Sequence, residues 1–195
     1  MHTSLKGKKV AILATDGFEQ SELAEPLEAL EKAGATAHIV SPKAGAIKGW
    51  KHAEEGDSFA VDATLDQADP QHYDALVLPG GVMNSDKLRR DPKVQQFVRS
   101  FFEEGKPVGA ICHGPWTLID AGVVKGRKVT SHETIQADLE NAGANWMDQE
   151  VVVDNGLVTS RNPDDIPAFN RKLIEEIAEG RHAGKAIAGA STSTK

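Results

Sequence analysis

Val108-Gly-Ala-Ile-Cys112-His-Gly-Pro115 carries the single cysteine of this 195-residue chain and decides how the rest is read. The apolar run 107–111 predicts a buried parallel strand. Gly114-Pro115 then turns the chain, and 116–122 reads as a short helix stopped at Gly122. A side chain at such a strand-to-helix corner is presented from a tight turn, with a helix N-terminus behind it that favours negative charge. For Cys112 this predicts a lowered thiol pKa and a reactive thiolate. The alternative is a small buried hydrophobe. That role calls for neither the adjacent His113 nor the Gly-Pro turn.

Outward from this corner, short apolar strands alternate with helices. Strands are expected at 10–14, 37–41 and 75–78, and helices at 21–33 and 91–104. The first helix has Leu23, Leu27 and Leu30 along one face, and the second has Val94, Phe97, Val98 and Phe101. Residues 42–60, rich in Gly, Lys and Glu, predict a hairpin or an irregular loop, and 61–69 a connection. Beyond the cysteine, 135–142 and 167–177 read as helices. Residues 150–153 and 157–160 read as strands joined at Asp154-Asn155-Gly156, since Asn-Gly is a strong hairpin signal. The pattern is that of an α/β protein with a mainly parallel sheet covered on both faces. The expected organisation is a leader over 1–7, one domain over 8–180 and a disordered tail over 181–195.

Composition narrows the function classes. The net charge is −7, and the basic groups Lys87/Arg89/Arg90 and Lys125/Arg127/Lys128 are short and interrupted, so a nucleic-acid surface is not expected. One cysteine excludes an intrachain disulfide and a multi-cysteine zinc site. No pair of histidines has metal-ligand spacing, so neither metal nor cofactor is expected. No segment approaches a membrane span, and residues 1–9 lack a signal-peptide core. The expected compartment is a reducing cytoplasm.

In a parallel sheet the site lies at the carboxyl ends of the strands. This places the loop after Ala14, the loop after Leu78 and Cys112-His113 at one crevice. His113 is a candidate base, although a neighbouring residue can point away from the thiol. Glu19 and Glu22 open the first helix, three apart. Either could accept a hydrogen bond from the thiol, or simply suit a helix start. Gly80-Gly81 and the His113 N–H could form an oxyanion hole, or Gly80-Gly81 an ordinary turn. Asp86 and Asp91 fall in the loop and helix cap that follow, with capping the natural role of Asp91. His132 follows another apolar stretch, and could face the crevice or solvent. His2, His38, His52, His72 and His182 have no such context.

Six motifs in order resemble the PfpI family of intracellular cysteine peptidases and stress proteins. They are Val10-Ala-Ile-Leu-Ala-Thr-Asp-Gly-Phe-Glu-Gln-Ser-Glu-Leu23, Leu78-Pro-Gly-Gly81, Ala110-Ile-Cys-His-Gly-Pro115, Gly126-Arg-Lys-Val-Thr-Ser131, Asp148-Gln-Glu-Val-Val-Val-Asp154 and Thr159-Ser-Arg-Asn-Pro-Asp-Asp-Ile-Pro-Ala-Phe169. The family belongs to a superfamily with the Parkinson's-linked deglycase and the class I glutamine amidotransferases. The resemblance implies a flavodoxin-like three-layer sandwich with Cys112 at a nucleophile elbow. It matches Glu22 to the glutamate that hydrogen-bonds the cysteine, with Glu19 a weaker match. It matches His113 to the histidine after the nucleophile, and His132 to a pocket position. Asp86 falls where the peptidases supply a third acidic residue from a neighbouring subunit, but is one methylene shorter than the family glutamate. The implied activities are conversion of methylglyoxal to lactate without glutathione, removal of early glycation adducts, and peptide hydrolysis. All begin with sulfur attack on an electrophilic carbon, and an open site favours aldehydes. The implied substrates are a small dicarbonyl, a glycated group or a peptide, and the implied assembly is a homodimer or hexamer. A triad completed across subunits, giving an ATP-independent peptidase, and a redox-sensing Cys112 are the competing expectations.

Overall fold

The computed structural model describes residues 3–183. Strand β1 (Lys9–Leu13) leads through the short β2 (Phe18–Glu19) into helix α1 (Gln20–Lys32). Strands β3 (Thr36–Ser41), β4 (Ala46–Lys51), β5 (Glu54–Ala60), β6 (Ala63–Thr64) and β7 (Ala75–Leu78) follow. Helices α2 (Val82–Arg89) and α3 (Pro92–Glu103) separate β7 from β8 (Val108–Ile111), and α4 (Pro115–Asp120) leaves the cysteine corner. The chain continues through β9 (Lys128–Val129), α5 (Gln136–Asn141), β10 (Asn145–Trp146), β11 (Val152–Asp154), β12 (Leu157–Ser160) and α6 (Ile166–Glu179).

The central sheet has seven strands in the order β11-β12-β8-β7-β1-β3-β6, and every neighbour is parallel except in the β11–β12 hairpin. Alternation along the strands explains its two covered faces. Ala11, Leu13, Leu76 and Leu78 point into a core with Val94, Phe97 and Phe101 of α3 and Leu118 of α4. Val10, Ile12, Ala75 and Val77 point the other way, against Leu23 and Leu30 of α1 and Phe169 and Leu173 of α6. Fully burying each of these large side chains stabilises by about 1.5–3 kcal/mol. Gly109 sits in β8 because a Cβ there would lie 2.8 Å from Cζ of Phe169.

The turn between β11 and β12 has Asn155 at φ 50° and Gly156 at φ 85°, the left-handed pair that a tight hairpin needs. Asp91 caps α3, accepting from the Lys93 N–H at 2.9 Å. The stretch 42–60 resolves as the β4–β5 hairpin, with a bulge between Lys48 and Trp50. β2 pairs with β4, so the hairpin is fastened beside the carboxyl end of β1. Asp86 is a correction. It lies in helix α2 rather than in a loop, because Gly81, at φ 87°, ends the turn and the helix starts at once.

Near the termini, Leu5 is fully buried in the core and its N–H donates to Ala33 O at 2.7 Å. His182 donates its backbone N–H to Gly105 O at 2.8 Å and sets its ring 3.0 Å from Glu176. The expected disorder over 184–195 lies outside the described residues. Among the described residues no helix is long and apolar enough to cross a membrane.

Candidate active site

Cys112 stands between β8 and α4 with φ 61°, a left-handed conformation that a residue with a Cβ enters only when its surroundings hold it there. Its N–H donates to Ser160 O at 3.0 Å, and its C=O accepts from the His132 N–H at 2.9 Å. Both flanking glycines are required by close approach. At Gly114 a Cβ would lie 2.9 Å from Ile111 O and still nearer Leu78 O. At Gly80 a Cβ would lie 2.8 Å from the Cys112 Cβ and collide with Glu22 Oε2. Such strain, held by the strands on either side, is characteristic of functional corners.

The corner opens into a crevice of about 610 Å³, lined by residues from the ends of β1, β7, β8 and β12 and by the β4–β5 hairpin. Glu19, Glu22, Gly81, Cys112, His113 and His132 all line it. The volume lies within the range of small-ligand sites. Asp86 is exposed and does not line it. Gly80, expected in the pocket, does not line it; it sits behind Glu22, and its backbone N–H donates to Glu22 Oε2 at 2.7 Å. Glu19 lines the mouth, but its carboxylate accepts from the His52 N–H at 3.2 and 3.3 Å and so holds the hairpin tip.

Glu22 is fully buried. Its second oxygen, Oε1, has no partner of full hydrogen-bond geometry, and the Cys112 thiol is the group beside the carboxyl that can serve it. Burial pushes the Glu22 carboxyl up to about 8, against the Gly80 N–H, with the charge of Glu19 adding to the rise. The thiol is also pushed up, by burial first and then by the charge of Glu22, against the N–H groups of Gly81 and His113. This corrects the expected lowered thiol pKa. Cys112 is only 8% exposed, and α4 has six residues, too short for its N-terminus to outweigh burial beside a carboxylate. Thiol and carboxyl therefore share one ionisation, and that ionisation belongs to the pair. Around pH 7 the pair is largely neutral. The first charge appears on Glu22 as pH passes about 8.

His113 sets Nδ1 3.3 Å from Cys112 Sγ. Its ring stacks on His132, with centroids 4.8 Å apart, and meets Trp116 edge-on at 5.2 Å. Burial first, and then His132, push His113 down to about 4, so it is neutral across the physiological range. Although adjacent in sequence, His113 turns its ring toward the thiol rather than away from it.

Several site residues escaped the sequence pattern. Asn84 is buried in α2. Its Oδ1 accepts from the Thr15 N–H at 2.7 Å, and its Nδ2 donates to Pro79 O and Gly80 O at 3.1 and 3.0 Å, tying the loops after β1 and β7 together. Thr134 bridges the two crevice histidines. Trp50, from the hairpin, and Asn162 and Asp164, after β12, complete the walls. Only the Asn-Pro-Asp turn signal at 162–164 marks any of them locally. The others act across long sequence separations.

Residues 8–176 match the family described as DJ-1/PfpI. Protein/nucleic acid deglycase 2 of Escherichia coli (strain K12) is 48% identical over 168 residues, 86% of this chain and 96% of that protein. General stress protein 18 of Bacillus subtilis (strain 168) is 46% identical over 170 residues, 86% of this chain and 96% of its own. The crystal structure of a two-domain protein from Anabaena variabilis, with dj-1/thij/pfpi-like and ferritin-like domains, matches with a TM-score of 0.83 at 34% identity. That match covers 96% of this chain and 52% of the Anabaena chain.

Proposed function

The chain belongs to the DJ-1/PfpI family, and from that premise we propose that it is a cysteine-dependent enzyme acting on 2-oxoaldehydes and their early adducts with amino groups. One observation carries this reading. The Cys112 sulfur faces an open crevice with a fully buried carboxyl, Glu22, beside it to exchange its proton. The relative from Escherichia coli, named a deglycase, supports the choice of substrate class.

Sγ bonds to the aldehyde carbon as the thiol proton passes to Glu22. The former carbonyl oxygen lies within reach of the Gly81 and His113 N–H groups, which already point at the sulfur. The product is a hemithioacetal. Where the substrate is an amine adduct, the same attack releases the amine, which leaves with the proton that Glu22 received. In the hemithioacetal of methylglyoxal, a proton moves from C1 to C2 through an enediolate and yields a lactoyl thioester. Water hydrolyses the thioester to lactate and restores the thiol. No external oxidant or reductant is consumed, because C1 is oxidised as C2 is reduced. A crevice without a strong triad suits aldehydes, whose carbon is far more electrophilic than that of an amide. Asp86 takes no part in these steps.

The purified full chain is expected to convert methylglyoxal to lactate with no glutathione present, followed by proton NMR. Lactate formation no faster than in protein-free buffer would overturn the proposal.

A further inference from the structure

The network behind His113 fixes its tautomer. The backbone N–H of Thr134 donates to His132 Nδ1 at 3.3 Å, and an amide N–H can only donate. His132 Nδ1 therefore carries a lone pair. The Thr134 hydroxyl lies 2.8 Å from the same nitrogen, so it must turn its proton there. A hydroxyl has one proton, and its oxygen is left to accept at its other contact, His113 Nε2, at 3.1 Å. His113 Nε2 then carries the ring proton. In the neutral imidazole this leaves Nδ1 bare, 3.3 Å from Cys112 Sγ.

We infer that Thr134 is a positioning residue, whose hydroxyl locks His113 as the Nε2–H tautomer and thereby makes Nδ1 an acceptor for the Cys112 thiol proton. Two further observations fit. Burial holds His113 neutral, so the imidazole has a lone pair to offer. Where Glu22 is protonated it has no charge with which to draw the thiol proton, and His113 Nδ1 is then the stronger acceptor for the S–H. Attack would thus have two proton acceptors, the Glu22 carboxylate and His113 Nδ1. The thiol proton goes to one of them as the S–C bond forms. This role rests on the proposed sulfur chemistry, but the tautomer itself does not.

The test is long-range proton–nitrogen NMR of the full chain labelled with 15N-histidine at pH 7, with His113 assigned from His113→Gln. The wild type is expected to show a bare, pyridine-type Nδ1 and a protonated, pyrrole-type Nε2. A protonated Nδ1 in the wild type overturns the inference without recourse to any Thr134 variant. Thr134→Val is expected to mix the two tautomers, to slow alkylation of Cys112 by iodoacetamide at pH 7 about tenfold or more, and to lower kcat rather than raise KM. Thr134→Ser, which keeps the hydroxyl, is expected to restore all three. A Thr134→Val spectrum and alkylation rate identical to wild type would overturn the assignment. If methylglyoxal turnover is absent while the tautomer and alkylation results hold, the proposed function fails and the inference about Thr134 stands.

Discussion

Glu22→Gln is expected to cut kcat/KM for methylglyoxal by about 10²–10³ while making the protein more stable. The amide oxygen can still accept from the Gly80 N–H, the bond that now measures 2.7 Å, so the corner keeps its shape. What disappears is a group able to take the thiol proton. The gain in stability follows from linkage. The carboxyl is raised from its ordinary value to about 8 in the folded chain, so between about pH 4.5 and 8 the native state binds more protons than the unfolded state. Stability from this group is complete below that window and is lost as pH rises through it. By pH 8 the cost reaches up to about 4 kcal/mol. Glutamine removes it. Differential scanning calorimetry should show equal Tm for the two proteins near pH 4.5, and a variant higher by roughly 10 °C at pH 8. His113 works in the opposite direction. Its lowered pKa adds stability as pH rises from about 4 to 6.5, in both proteins. A variant that is less stable than wild type at pH 8 would contradict the burial of an ionisable carboxyl at this position.

Cys112→Ala should be the most damaging change to activity, with turnover falling at least about 10⁴-fold, to the level of protein-free buffer. No other thiol exists in the chain to substitute for it. Cys112→Ser should be equally inactive, because a hydroxyl is a far weaker acid than a thiol and Glu22 would have to ionise it. Neither change should unfold the chain. Alanine keeps the same backbone demand at φ 61°, and the strand bonds through Ser160 O and the His132 N–H do not involve the sulfur. Far-UV circular dichroism should match wild type, and residual turnover above a tenth of wild type would remove Cys112 from the chemistry.

The fold was legible because buried parallel strands announce themselves as apolar runs. Val10–Leu13, Ala75–Leu78 and Val108–Ile111 needed no long-range information. The rule that sites lie at the carboxyl ends of such strands predicts Glu22, Gly80, Gly81, Cys112 and His113 around one crevice, and all of these but Gly80 line it. His132 joined them through the backbone bond of its N–H to Cys112 O, which local pattern only hinted at.

Two expectations failed for definite reasons. Pro79-Gly80-Gly81 looks like the start of a long turn and so predicts a loop at Asp86. The single left-handed Gly81 is enough to turn the chain directly into α2. The thiol was expected to ionise easily because a helix N-terminus is visible in sequence, whereas burial is not. Whether Glu22 meets the sulfur exposed or fully enclosed depends on α1 packing against the sheet, some 90 residues away in the chain. Asn84, Thr134 and Trp50 were missed for a related cause. Each matters only through partners that folding brings to it.

The shared ionisation of Cys112 and Glu22 is tested most directly by the rate of iodoacetamide alkylation of Cys112 between pH 5 and 10, in the wild type and in Glu22→Gln. In the wild type the rate should start from a baseline carried by His113 Nδ1, rise as Glu22 becomes a carboxylate able to take the thiol proton, and bend over near pH 8. In Glu22→Gln that bend should vanish, leaving the slower, nearly pH-independent rate carried by His113 Nδ1 until the buried thiol itself ionises. A wild-type rate already at its plateau by pH 6, unchanged by the substitution, would show that the sulfur ionises independently of Glu22 and would contradict the account.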